Sequence, residues 1–293
     1  MALSKAFLDH VSKTLPPSVR GAVYIESASP LGGGDINAAY RLNTAGGPFF
    51  IKVNSAEHFP AMFEKEAAGL ELLASTGVIR VPGVITHGEY GDDIYLVLEF
   101  IPSGLPKASF WTDFGIALAR MHRNTADAYG LGYDNYMGAI PQSNKKHSNW
   151  TDFFVQERLE PMVKMARNDG FLTRDDISHF EKLYNRLPQI FPPEPPALIH
   201  GDLWTGNHMV DANGEACLID PAVHYGHREM DIAMSRLFGS FAAEFYEAYH
   251  SEYPLENGWI ERVDVCNLYP LLIHVNLFGK GYVGSVERIV ARF

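Results

Sequence analysis

The pattern of apolar and polar positions predicts mostly strands with one helix up to about residue 101, and mostly helices with one small hairpin beyond it. A leading helix is predicted from Ser4 to Leu15, stopped by Pro16-Pro17. Val23-Tyr24-Ile25, Ala38–Leu42 and Phe49–Val53 read as strands. In the last of these Phe49, Ile51 and Val53 share one face, and Phe50 and Lys52 share the other. Gly32-Gly33-Gly34 lies between the first two strands, where it can serve as a plain turn or let backbone N–H groups approach a phosphate. Phe59 to Ser75 reads as a helix with Phe59, Phe63, Leu70 and Leu73 on one stripe, and Gly77 as its stop. Strands near Val81–Thr86 and Ile94–Phe100 follow, and Pro102-Ser103-Gly104 breaks the pattern.

Helices are predicted near Ser109–Arg123, Thr151–Arg167 and Thr173–Leu187, the last opened by a Thr173/Asp176 capping box. The proline-rich stretch Pro192–Pro196 leads into Ala197-Leu198-Ile199. Short strands near His208–Val210 and Ala216–Ile219 flank Asn213-Gly214, a hairpin signal, and a helix is expected over Arg228–Gly239. This is an α+β layout in two lobes with a cleft between them. The expected division is 1–101, an antiparallel sheet plus helix, and 102–293, mainly helical.

A formal net charge of -11 argues against a nucleic-acid partner but leaves room for a locally basic nucleotide pocket. The two cysteines, Cys217 and Cys266, sit in apolar surroundings and are expected to be reduced core thiols. The N-terminal residues lack signal-peptide character and no apolar run is long enough to span a membrane, so the expectation is a cytoplasmic protein with no membrane partner.

The chemistry concentrates in His200-Gly201-Asp202-Leu203-Trp204-Thr205-Gly206-Asn207. Its spacing matches the catalytic-loop pattern H-R-D-L-x-x-x-N with Gly201 in place of Arg. Asp220 ends the apolar strand Cys217-Leu218-Ile219 past the hairpin, where its carboxylate can fold back over Asn207. Hard oxygen ligands of this kind suit Mg²⁺ bound by phosphates. Lys52, on the third strand after a glycine turn, is placed where such enzymes carry their phosphate-binding cation. Helix phase makes Glu66 its partner: steps of four, three, four and three from Phe59 to Leu73 put Glu66 in the inward stripe, whereas Glu64 aligns with Ala68 and Glu71. Glu99, Phe100 and Ile101 end the strand entering the break, where the backbone is expected to meet an adenine edge. Asp231 reads as a brace for the catalytic loop or as a simple helix-start carboxylate.

The chain resembles the fructosamine kinase/ketosamine-3-kinase family, in the aminoglycoside-phosphotransferase branch of protein-kinase-like folds. The resemblance is carried by His200–Asn207, Phe63-Glu64-Lys65-Glu66-Ala67, Asp134-Asn135-Tyr136-Met137-Gly138, Pro141-Gln142, Trp150, Arg158-Leu159, Asp220-Pro221-Ala222, Arg228-Glu229-Met230-Asp231 and Phe278-Gly279-Lys280-Gly281-Tyr282. It implies ATP-dependent phosphorylation of the sugar part of ketoamines, usually on the third-carbon hydroxyl, as a deglycation activity. It further implies that Asp202 orients the acceptor hydroxyl and takes its proton, that Asn207 and Asp220 hold Mg²⁺, and that Lys52 with Glu66 contacts the α/β-phosphates. Some relatives carry a cysteine at the glycine turn. This chain has Asp35 there, which removes a cysteine switch from that loop. Trp150 and Trp204 read as sugar-stacking or core residues. The competing readings are another small-molecule kinase of this fold, of aminoglycoside or choline type, and an inactive nucleotide-binding module.

Overall fold

In a computed structural model of the chain, residues 3–16, 24–32 and 36–293 are described. The leading helix α1 (Lys5–Thr14) is capped by the Ser4 hydroxyl, which accepts from the Phe7 N–H at 3.1 Å. Five antiparallel strands follow in the spatial order β1-β2-β3-β5-β4. They are β1 (Ile25–Leu31), β2 (Ala38–Thr44), β3 (Phe49–Ser55), β4 (Val84–Tyr90) and β5 (Asp93–Glu99). The alternation in β3 has a packing cause. Ile51 and Val53 join Tyr95, Val97 and the α1 residues Phe7 and Val11 in one apolar layer, which turns Lys52 to the opposite face.

That opposite face carries α2 (Met62–Ser75), whose Phe63, Ala67, Leu70 and Leu73 pack on Leu96 and Leu98 of β5. The same apolar cluster continues into the second half through Phe110, Phe114, Leu203 and Leu218, so the helix is the joint between sheet and helical part. Two boundaries differ from the pattern. The helix starts at Met62, because Ala61 adopts a left-handed conformation (φ 57°) and leaves Phe59 in the preceding turn against Tyr136. β4 starts at Val84, because Pro82 has no N–H for a ladder. β1 begins at Ile25, where the predicted strand ends; Val23 lies outside the described residues.

Beyond Glu99, Gly104 donates its N–H to the Val210 carbonyl at 2.9 Å, tying the connector to the hairpin of β9 (His208–Val210) and β10 (Ala216–Leu218). Helix α3 (Phe110–Met121) packs on α8 (Ala243–Glu252). The predicted helix near 151–167 is three pieces: α4 (Trp150–Phe153), a π-helical turn (Phe154–Leu159) and α5 (Glu160–Asn168). The wide turn sits just before Pro161, which has no N–H for the ordinary ladder, and it buries Arg158. Helix α6 (Arg174–Ile190) opens with the reciprocal Thr173/Asp176 capping box. Two small pairings had no sequence signal: β6 (Asn135–Met137) with β7 (Ile140–Gln142), and β8 (Ala197–Ile199) with β11 (His224–Gly226). The helices α7 (Glu229–Met234), α9 (Trp259–Cys266), α10 (Leu268–Phe278) and α11 (Val283–Val290) complete the second core. Among the described residues no helix is long and apolar enough to cross a membrane. Both cysteines are buried and unpaired.

Candidate active site

Strand β3 and helix α2 deliver the first half of the site. Lys52 Nζ lies 2.7 Å from Glu66 Oε1 and 2.7 Å from Asp220 Oδ1. Burial opposes the lysine's charge, but the two carboxylates outweigh it and raise its pKa. Glu64 points to solvent beside Lys65, as the helix phase requires.

The second half comes from the loop after β8 and the segment after β10. The Asn207 side-chain amide donates to both the Asp202 carbonyl and Asp202 Oδ2, each at 2.9 Å. That leaves Asn207 Oδ1 without a protein partner among the described residues. The main chains of the two segments are laced together: Ile219 N–H donates to the Asn207 carbonyl at 3.1 Å and Ala222 N–H to the His200 carbonyl at 2.9 Å. Gly201 has φ 83°, and a Cβ there would run into the Ala222 carbonyl oxygen, which explains glycine where the related pattern has arginine. Asp220 itself holds φ 54°, a strained conformation for a non-glycine residue.

Asp231 braces the loop from beneath. Its carboxylate accepts from the His200 N–H at 2.7 Å, the Gly201 N–H at 2.9 Å and His122 Nε2 at 3.1 Å. Burial works against that charge, yet these donors hold its pKa below the usual range. Burial keeps His200 neutral, with Nε2 donating to the Ile219 carbonyl at 2.9 Å and Nδ1 accepting from Asp202 N–H at 3.3 Å. Asp202 is the exception to this pairing. Burial, then the charge of Asp220, pushes its carboxyl up to about 7 despite the bond from Asn207.

Lys52, Glu66, Asp202, Asn207 and Asp220 line one cavity of about 700 Å³. Among the described residues no three His, Cys, Asp or Glu side chains form a metal cluster of their own. The oxygen donors present, Asp202, Asp220 and the free Asn207 Oδ1, fit a hard cation that arrives with phosphate ligands and relieves the crowding of two carboxylates.

Other expectations fall elsewhere. The Glu99 carboxylate is held by Arg80 at 2.5 Å and by the Gly83 N–H at 3.2 Å, and the Phe100 ring lies 5.0 Å from the Arg41 guanidinium. Neither these two residues, nor Ile101, nor Gly32 lines the cavity, and Gly33, Gly34 and Asp35 lie outside the described residues. Trp150 is a core residue: it is 4% exposed and stacked on Phe154 at 5.0 Å. Trp204 does line the cavity.

Sequence reasoning missed a buried polar network behind Asp220. Asn135 Nδ2 donates to the Val223 carbonyl at 2.9 Å, and Gln142 Nε2 donates to the Ala222 carbonyl at 3.2 Å. Asn135 Oδ1 accepts from Gln142 and Asn144, each at 2.8 Å. The fully buried Arg158 donates to Asn144 Oδ1 at 2.6 Å, to the Glu157 carbonyl at 3.0 Å and to the Ser143 carbonyl. The family-like segments Asp134–Gly138, Pro141-Gln142 and Arg158 thus meet here. These residues lie in a polar-rich stretch with no periodicity, so the sequence carried no signal that they meet.

A sheet that holds a lysine–glutamate pair over a loop holding Asp202, Asn207 and Asp220 is the architecture of a protein-kinase-like phosphotransferase. Within that class the chain belongs to the fructosamine kinase family, whose model matches residues 8–293. It is 37% identical to a protein of Enterococcus faecium named as a probable ketoamine kinase, over 90% of this chain and 94% of that one. It is 38% identical to the chloroplastic protein-ribulosamine 3-kinase of Arabidopsis thaliana, over 92% of this chain and 83% of that one. A crystal structure of a Haemophilus somnus protein, named as a putative fructosamine-3-kinase, superposes with a TM-score of 0.87 at 30% identity, covering 96% of each chain.

Proposed function

We propose that this protein is an ATP-dependent kinase that phosphorylates the sugar part of ketoamines, ribulosamines or fructosamines, on the third-carbon hydroxyl, in the cytoplasm. The activity is deglycation, since the phosphorylated adducts decompose. The observation that carries the reading is Asp202: a half-buried carboxyl poised near neutrality in the same cavity as Lys52, Glu66, Asn207 and Asp220. The named relatives supply the acceptor class. Residues 1–101 then serve as the nucleotide lobe and 102–293 as the acceptor lobe.

Asp202 Oδ accepts the hydroxyl proton as the acceptor oxygen attacks, and Asn207 keeps that carboxylate aimed. Lys52, steadied by Glu66, contacts the α/β-phosphates. Asn207 Oδ1 and Asp220 are the oxygen ligands for Mg²⁺, which neutralises phosphate charge when bound. The main chain of Glu99, Phe100 and Ile101 is assigned to the adenine edge. Among the described residues the carboxylates lining the cavity are Glu66, Asp202 and Asp220, all at the phosphate end, which speaks against a polycationic aminoglycoside as acceptor.

The test is mass spectrometry of the product formed from ATP and a defined N-ribulosyl amine, with the phosphate located. Phosphate on the third carbon is the expected result, and no turnover with any ketoamine sinks the reading. A second measurement addresses Asp202 itself. Because the carboxyl is raised and must be ionised to act as base, kcat/KM is expected to rise through pH about 7 and to fall by one proton below it. A profile flat from pH 6 to 8 removes Asp202 from that role.

A further inference from the structure

The cavity has two unlike ends. Its cationic lining residues among those described, Lys52 and Lys65, belong to the sheet and α2. The other end is ringed by Phe238, His274, Phe278 and Tyr282, from the segment after α7, from α10 and from the turn that follows it. His274 is the hub. Its ring centroid lies 4.6 Å from that of Phe238, 4.9 Å from Tyr282 and 5.5 Å from Phe278. Phe238 and Tyr282 meet edge to face at 6.4 Å and 89°.

Two features mark this end as more than core packing. Phe278 is 52% exposed, a large apolar ring left open on a cavity wall. His274 Nδ1 donates to the Pro270 carbonyl at 2.7 Å, which fixes the tautomer with Nε2 as an acceptor. That Nε2 has no hydrogen-bond partner among the described residues. Burial lowers the pKa of the ring, so it is neutral at neutral pH and does not repel a cation.

Ring faces surrounding an unengaged imidazole acceptor match one chemical class well: an alkyl-substituted secondary ammonium, which offers a diffuse positive charge, N–H donors and an apolar chain. A ketoamine is such a group, with the protonated nitrogen bonded to the sugar on one side and to the alkyl chain of the parent amine on the other. We propose that Phe238, His274, Phe278 and Tyr282 form the seat for the amine half of the acceptor, with the ammonium on the ring faces and His274 Nε2 and the alkyl chain along Phe278. This rests on the ketoamine reading above and adds to it the side chains that receive the amine half and its alkyl chain.

The test compares three acceptors with the full-length protein and its Phe278→Ala and Phe278→Tyr variants: the N-ribulosyl adduct on the side chain of an Nα-blocked lysine, N-ribulosyl-methylamine, and free ribulose. Phe278 is exposed, so its truncation leaves the core intact. For Phe278→Ala the KM of the lysine adduct is expected to rise about tenfold, with the methylamine adduct affected less and the KM of ATP unmoved. Phe278→Tyr should restore the lysine-adduct KM to near the parent value, since the ring face returns. A lysine-adduct KM within twofold of the parent in Phe278→Ala, or an equal rise for all three acceptors, overturns the seat while leaving the kinase reading intact. Absence of turnover with every ketoamine in the parent protein overturns the kinase reading and the seat with it.

Discussion

Asp202→Asn is expected to lower turnover by about 10²- to 10⁴-fold, the usual worth of a positioned base, while ATP affinity stays close to that of the parent. The same variant should be more thermostable than the parent without ligand at pH 8. The sign follows from the raised pKa. A carboxyl that titrates near 7 in the fold and near its ordinary value of about 4 when unfolded favours folding in its protonated form. Its contribution is fully present below the unfolded value and is lost as pH rises through about 7. The amide has no charge to lose, and its oxygen can still accept from Asn207. The gain in melting temperature should therefore shrink as pH falls from 8 toward 5. An inactive variant with an unchanged or lower melting temperature at pH 8 would contradict the account of Asp202 as a partly desolvated, under-compensated charge.

Arg158→Met should be the most damaging change outside the cavity. The guanidinium is buried, rests 4.5 Å from the centroid of Phe153 and 5.4 Å from that of Tyr269, and serves three acceptors. Burial pulls its pKa down to about 10, and among the described residues no carboxylate lies within ion-pair distance of it. Removing a buried charge recovers some desolvation free energy. Against that, Asn144 Oδ1 and the Ser143 and Glu157 carbonyls lose their donor, at about 1–3 kcal/mol for each buried group left unsatisfied. A net loss of about 3 kcal/mol or more is expected, a drop in melting temperature on the order of 10 °C. The loss should also reach the active site, because Asn144 is bonded to Asn135, which holds the Val223 carbonyl and shares its own oxygen with Gln142, the donor to the Ala222 carbonyl behind Asp220. The KM of Mg·ATP is expected to rise more than that of the acceptor. Arg158→Lys, which keeps charge and a donor, should recover part of both. Equal rises in the two KM values would mean that the network stabilises the fold without positioning Asp220.

How far the sequence revealed this arrangement depends on the range of the forces involved. Lys52 and Glu66 were legible because strand alternation and helix phase are local: an apolar face to bury on β3 and on α2 leaves one orientation for each polar neighbour. Asp202, Asn207 and Asp220 were legible because their spacing is set by a tight loop and a short hairpin. The network around Arg158 was not. Asn135, Gln142, Asn144 and Arg158 satisfy one another across turns with no periodicity, and each taken alone reads as an ordinary surface residue. Trp150 shows the same limit from the apolar side, since rings brought together from distant segments, Tyr129, Phe191 and His227 among them, make it core. The displaced starts of α2 and β4 reflect Ala61 and Pro82, single-residue backbone effects that a hydrophobic pattern does not carry.

The two thiols have a use that comes from their placement. Cys217 is buried on β10, where burial pushes its pKa up to about 12, and Cys266 lies at the end of α9 with its pKa also raised by burial. Neither is a thiolate at neutral pH, so neither competes as a nucleophile in the folded molecule. An alkylating reagent can reach them only through fluctuations that open the chain. Because one thiol reports on the hairpin beside the connector and the other on the helical core, their separate labelling rates serve as two clocks for local opening in one molecule.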